Sequence, residues 1–243
     1  MDWSATEPPD AAASASWTDV RIRDVALNVA TALTTLLAIG AVSARIWPTR
    51  SDARPTPHRQ VVVPQWAAFA QSTERIGPPP GSVPVTIVEF ADFQCPFCRK
   101  AAGVLDSVLS DHRGQISLVW RNTPLDQHHY AMGAARAALC ATRQGAFPAF
   151  HDQLFAHADS LGRIPWTRFA SAAGVHSLDA FAACLRDTLA FPELARDTAD
   201  AMRLGVVGTP TFLINDLLVV GNVGRDSIER LVRLATSRTS AAH

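Results

Sequence analysis

Lysine is nearly missing from this chain: Lys100 is the only one, and the rest of the positive charge is arginine. That scarcity is a habit of composition and points to no function. There is no charge excess either. The 22 basic residues are matched by 22 acidic ones, which removes the electrostatic argument for a nucleic-acid partner. No Gly-rich phosphate loop, metal-ligand signature or Ser-His-Asp arrangement stands out. His128-His129 comes nearest to a metal pair, but adjacent helical side chains point about 100° apart, and no carboxylate or cysteine lies at ligand spacing. The two read as a solvated helix start. Cysteine is scarce too, with 4 in 243 residues. Cys140 and Cys184 lie far apart with no second C-x-x-C, which leaves an all-cysteine zinc site without half its ligands. No metal and no cofactor is expected.

Against this background Cys95-Pro96-Phe97-Cys98 stands out, directly after the apolar run Pro84 to Phe90. Taken alone, the motif is half a zinc site, a redox pair or two buried thiols. Context favours the redox pair. A β-rich run enters the motif, Pro96 sits where a first helical residue tolerates a missing N–H, and Val104, Leu105, Val108 and Leu109 give residues 99–112 helical periodicity. At a helix N-terminus the free N–H groups favour a thiolate, so Cys95 is the candidate nucleophile and is expected to be exposed. Cys98, one turn further in, is expected to be more buried and to resolve the mixed disulfide. Glu89 lies six residues before Cys95; six is even, so it shares a sheet face with the last residues of the strand.

Three stretches together resemble the thioredoxin superfamily and, within it, the DsbA-like disulfide oxidoreductases of bacterial envelopes. They are Val88 to Cys98, Ala134 to Cys140, and Leu204 to Asn215, which contains Gly208-Thr209-Pro210-Thr211-Phe212. The resemblance covers roughly 83–234. It implies a cis peptide at Thr209-Pro210 lying against the cysteine pair, with Thr209 offering backbone groups to an extended substrate. It also implies that Glu89 is the buried acid that moves the proton of the resolving cysteine, and that Cys140 and Cys184 form a structural disulfide, where the alternative is two unpaired buried thiols. Here the chain departs from the best-known DsbA proteins: Phe97 stands where they carry a histidine that helps hold the thiolate. Pro96 and Phe97 are therefore the residues that tune the pair. A less acidic Cys95 and a less oxidising disulfide are expected, with Phe97 instead offering an apolar surface to unfolded substrate.

Beyond the first 60 or so residues about 180 remain, enough for one domain. Residues 116–121 alternate as a strand. Helices are expected over 131–143, 147–157, 166–173, 178–189 and 194–204, separated by Gly145, Gly162, Pro165, Gly174 and Pro192. Residues 211–215 and 217–220 read as a hairpin about Asn215-Asp216, and 226–236 as a closing helix. The fold class is α/β: a thioredoxin fold over 81–236 with a mixed sheet and a helical insertion at about 126–204 that roofs the site. Residues 237–243 form a tail.

The N-terminal part is different. Residues 1–24 read as a disordered tail. Val25 to Ala44 is 20 residues without a charge, long enough as a helix to cross the roughly 30 Å core of a bilayer. A single transmembrane anchor is expected, with a cleaved signal peptide as the competing reading because Arg21 and Arg23 precede it and Val42-Ser43-Ala44 resembles a cleavage site. Arg45, Arg50, Arg54 and Arg59 follow the stretch, and a bare positive-inside count would keep the catalytic domain in the cytoplasm. Long domains translocate largely regardless of flanking charge, and two cysteine pairs suit an oxidising compartment. The expected location is therefore the cell membrane, with the domain on the periplasmic or extracellular side. Residues 45–80 form a Pro-rich spacer whose segments 61–63 and 66–69 are expected to dock as an edge strand and a short helix. The function expected is disulfide exchange with cysteines of exported proteins, recharged by a separate redox partner. The alternatives are a membrane-anchored reductase or isomerase, and a peptide-binding chaperone without redox turnover.

Overall fold

The computed structural model describes residues 61–241 except 188, 190 and 222, together with positions 29, 31, 33 and 34. The chain divides after Thr56 into two units. In the first, Val29, Thr31, Leu33 and Thr34 are helical, and Thr34 Oγ1 donates to the Thr31 carbonyl at 2.9 Å. The rest of the 25–44 stretch, the 1–24 tail and the spacer up to residue 60 lie outside the described residues. Among the described residues, no helix is long and apolar enough to cross a membrane.

The second unit is a six-stranded sheet: β1 (Val61–Val62), β2 (Arg75–Ile76), β3 (Val85–Ala91), β4 (Ile116–Asn122), β5 (Thr211–Ile214) and β6 (Leu217–Val220), in the order β1-β6-β5-β3-β4-β2. β3 and β4 are parallel and joined by helix α1 (Pro96–Asp111); all other pairings are antiparallel. β3 is central, and every one of its residues is buried, as an apolar strand covered on both faces must be. Alternation divides its side chains. Val85 and Ile87 pack with α1 and the closing helix α7 (Arg225–Ala241), while Val88 and Phe90 face Phe69, Ala70 and Ala201 on the other side.

The spacer docks as the sequence suggests, with β1 on β6 and a 3₁₀ turn at Trp66–Ala70. The sheet also takes in β2, which lies ahead of residue 81. β2 is two residues long, too short to carry a periodicity. Gly77 follows it with φ 92°, where a Cβ would lie 2.8 Å from the Ile116 carbonyl oxygen; only glycine allows that approach.

Among the described residues, five α-helices and a 3₁₀ turn (Ala158–Ser160) fill the insertion: α2 (Ala131–Thr142), α3 (Phe147–Ala156), α4 (Trp166–Ala172), α5 (Leu178–Arg186) and α6 (Pro192–Leu204). The last two differ from the sequence reading. α5 stops at Arg186, where Asp187 turns extended, and Pro192 opens α6 instead of separating it from α5, because a first helical residue needs no N–H partner. The Cys140 and Cys184 sulfurs are bonded, with Cα atoms 5.9 Å apart, tying α2 to α5. Closing a separation of 44 residues contributes roughly 4 kcal/mol on the chain-entropy model. α7 runs through the residues read as a tail. Thr239 accepts from Asn215 Nδ2 at 3.2 Å, and Arg238 pairs with Asp216 at 2.7 Å. Both partners belong to the β5–β6 turn, which no local pattern connects to the C-terminus.

Candidate active site

Two pieces of backbone bring the site together. β3 delivers the chain to Cys95, which caps α1 in an extended conformation (ψ 122°), with Pro96 as the first helical residue. β5 pairs with β3 so that Thr211 lies opposite Phe90. Pro210, the residue before β5, is thereby held level with the exit of β3. The Thr209-Pro210 peptide is cis. Thr211 Oγ1 donates to the Gly208 carbonyl at 2.8 Å and the Gly221 N–H to the Pro210 carbonyl at 2.9 Å, so both sides of the turn are fastened.

The Cys95 thiol faces the Thr209 carbonyl oxygen at 3.4 Å. Cys95 is only 3% exposed, against the expectation of an exposed sulfur, because the cis-proline turn lies on one side of it and the core under the helical insertion takes in both cysteines. Phe97 is the residue presented at the helix mouth, at 52% exposure, with Val207 of the opposing turn 89% exposed. A hydrogen bond from the Cys98 thiol, and then those from the Cys98 and Phe97 N–H groups, outweigh burial and lower Cys95 to about 5. That falls between the roughly 3.5 of DsbA and the roughly 7 of thioredoxin, without any histidine. Cys98 is pushed far up by burial first, then by the hydrogen bond it makes to Cys95 and by the Glu89 charge. One thiol is poised to ionise and the other holds its proton.

Glu89 is fully buried, and among the described residues neither carboxyl oxygen has a hydrogen-bond partner. Its strand neighbours are Trp120 and Phe212. Burial, and secondarily the Cys95 charge, raise it to about 8. Cys95, Cys98, Glu89, Phe97, Thr209 and Pro210 thus converge, whereas the Cys140–Cys184 bond belongs to the scaffold of the insertion.

Sequence reasoning missed two groups. Asp92, three residues before Cys95, is buried and accepts from the Gln94 N–H at 2.7 Å, the Leu125 N–H at 2.9 Å and His128 Nδ1 at 2.7 Å. His128 is therefore half-buried and paired rather than solvated; His129, exposed, fits the sequence reading. An aspartate just past a strand and two residues before a backbone N–H it can reach is a turn signal that was available. The second group surrounds Arg121, which is fully buried and donates to Asp197 Oδ1 at 2.6 Å, to Asp200 Oδ2 and to the Phe69 carbonyl at 2.7 Å. Asn122 joins Glu74 and Asp197 to it. No local pattern announces partners 76 and 79 residues apart. Among the described residues, no cluster of three or more His, Cys, Asp or Glu side chains could hold a metal ion.

A family model described as Thioredoxin matches residues 75–233. A thioredoxin-like oxidoreductase from Silicibacter pomeroyi DSS-3 superposes with a TM-score of 0.60 at 30% identity, over 70% of this chain and 96% of that one. A periplasmic thioredoxin-like protein from Salmonella enterica serovar Typhimurium (TM-score 0.58, 24% identity, 70% of this chain and 95% of that one) and alpha-DsbA1 of Wolbachia pipientis (0.60, 20%, 70% and 93%) share the fold. Curated relatives are named as Na(+)/H(+) antiporters. NhaA 3 of Salinispora tropica is 42% identical over 137 residues, 56% of this chain and 21% of that protein; NhaA 1 of Salinispora arenicola is 37% identical over 161 residues, 66% of this chain and 24% of that protein. The match thus spans about a quarter or less of those relatives' length. With the family model matching more than half of its length, and the cysteine pair and cis-proline turn meeting where that fold brings them, the chain belongs to the thioredoxin superfamily and shares the fold of its DsbA-like members.

Proposed function

We propose that the protein exchanges disulfides with cysteines of exported proteins through Cys95 and Cys98. The meeting of the Cys95 sulfur with the Thr209 carbonyl, beside a thiol that donates to it, carries this reading. In the oxidising direction a substrate thiolate attacks the Cys95 sulfur of the Cys95–Cys98 disulfide. The bond between the two cysteines breaks, and Cys98 leaves with a proton from the Glu89 carboxyl. A second substrate thiolate then attacks the substrate sulfur of the mixed disulfide, and Cys95 departs as its stabilised thiolate. Two electrons pass from substrate to enzyme, and a redox partner takes them up. Reduction runs the same steps backwards, with Glu89 accepting the Cys98 proton. The apolar 25–44 stretch anchors the domain in the membrane, with catalysis on the periplasmic or extracellular face; the oxidising chemistry of two cysteine pairs supports that placement.

The reduction potential of the Cys95/Cys98 couple, equilibrated against glutathione, tests the reading and its direction. A value near about −120 mV marks an oxidant and one near about −270 mV a reductase. A pair that never equilibrates with glutathione would end the proposal.

Glu89→Gln is expected to slow resolution while leaving the mixed disulfide able to form. It also has a stability signature. The folded carboxyl keeps its proton up to about 8, while the reference value is 4.5, so between those values the native state binds more protons and loses stability as pH rises. The variant has no such loss. Comparing urea midpoints at about pH 5 and about pH 8 should show it gaining on the parent by on the order of a few kcal/mol; parallel pH profiles would contradict a buried, protonated Glu89.

A further inference from the structure

We propose that Asp92 and His128 form a clamp that holds the Cys95-Pro96-Phe97-Cys98 turn against the helical insertion, making Asp92 a positioning residue for exchange at Cys95. The inference rests on the redox reading of the pair. The Asp92 side chain is wholly buried, and its two oxygens accept from the Gln94 N–H, the Leu125 N–H and His128 Nδ1. Its backbone is engaged as well. Its carbonyl accepts from the Cys95 N–H at 3.1 Å, and its N–H lies against the Cys98 sulfur. A parallel strap runs from Gln94, whose Oε1 accepts from the Tyr130 N–H at 2.6 Å. The residues just ahead of the nucleophile thus grip the linker between β4 and α2 at three places: Leu125, His128 and Tyr130.

Three donors converging on one carboxylate form charge-assisted hydrogen bonds, about twice as strong as neutral ones. An amide cannot replace it, since its NH₂ would face a donor. The Cys95 thiolate depends in turn on how the Phe97 and Cys98 N–H groups and the Cys98 thiol aim at its sulfur, and hydrogen bonds weaken steeply once misaligned. The titratable groups acting on Cys95 are Cys98 and, from β3, Glu89. Asp92 works through alignment of the turn.

The test is the ultraviolet thiolate titration of reduced, full-length protein, with iodoacetamide alkylation of Cys95. In Asp92→Asn the titration midpoint is expected to rise by about one pH unit, and alkylation at about pH 5 to slow by up to about tenfold. His128→Ala should shift both in the same direction by less, and His128→Gln, which restores a donor, should return them toward the parent. If Asp92→Asn does not fold, the two His128 variants decide the matter, since that side chain is 18% exposed and outside the sheet. Variants that melt earlier while their titrations stay unmoved would reduce the clamp to scaffolding and overturn the proposal. A parent Cys95 that titrates like an ordinary thiol would overturn the redox reading, and the clamp with it.

Discussion

Cys95→Ser is expected to lose disulfide exchange down to the uncatalysed rate, while Cys98→Ser should still attack and then stall as a mixed disulfide visible by mass spectrometry. The two outcomes differ because the two sulfurs do different work. Cys95, lowered to about 5, is almost wholly thiolate at neutral pH, whereas an ordinary thiol near pKa 8.5 is only a few per cent thiolate. Nucleophilicity falls with pKa, so the gain in rate is smaller than the gain in thiolate; a hydroxyl in that place has neither. Cys98 is kept protonated by burial, and in the proposed exchange it acts only once the mixed disulfide has formed. Exchange that persisted in Cys95→Ser would favour a peptide-binding protein that uses the groove beside Thr209-Pro210 without redox turnover.

The second large effect is structural. Arg121→Met is expected to destabilise the domain by about 3–5 kcal/mol, the usual cost of removing one partner of a buried ion pair. Asp197 and Asp200 would remain as buried carboxylates without their guanidinium, and the Phe69 carbonyl would lose its donor. Asp200 keeps the exposed Arg203, which offsets part of the loss. Burial already raises Asp197 against the pull of Arg121, so in the variant the loss should shrink as pH falls and the carboxylates bind protons. Replacing all three charges by apolar residues should restore much of the stability. A urea midpoint shift worth under about 1 kcal/mol for Arg121→Met would mean that the network is solvated in solution. The same residues link the docked spacer to α6, whose C-terminal Gly205 (φ 67°) turns the chain into the cis-proline loop. Damage at Arg121 should therefore reach the active site as well.

The strand, the cysteine motif and the helix after it were legible because each is written in adjacent residues: an apolar run, a proline at a first helical position, a periodic face. The sheet face of Glu89 was legible through parity along one strand, and its burial was expected only through the family resemblance. Cys95 was placed correctly on its helix, yet its exposure was misjudged, because what covers it comes from the insertion and from the cis-proline turn 114 residues away. His128 looked solvated for the same reason. Nothing near it in sequence reveals Asp92, 36 residues earlier.

By itself the sequence determined which groups this chain can offer to the proposed exchange: two thiols at the start of a helix, an acid six residues before them and a proline turn far along the chain. Tertiary structure alone decided how those groups behave, which sulfur sheds its proton, how deep both lie and what grips the turn between them. Acidity and alignment depend on the dielectric and donors around an atom, and those arrive from β5 and the insertion only when the sheet assembles.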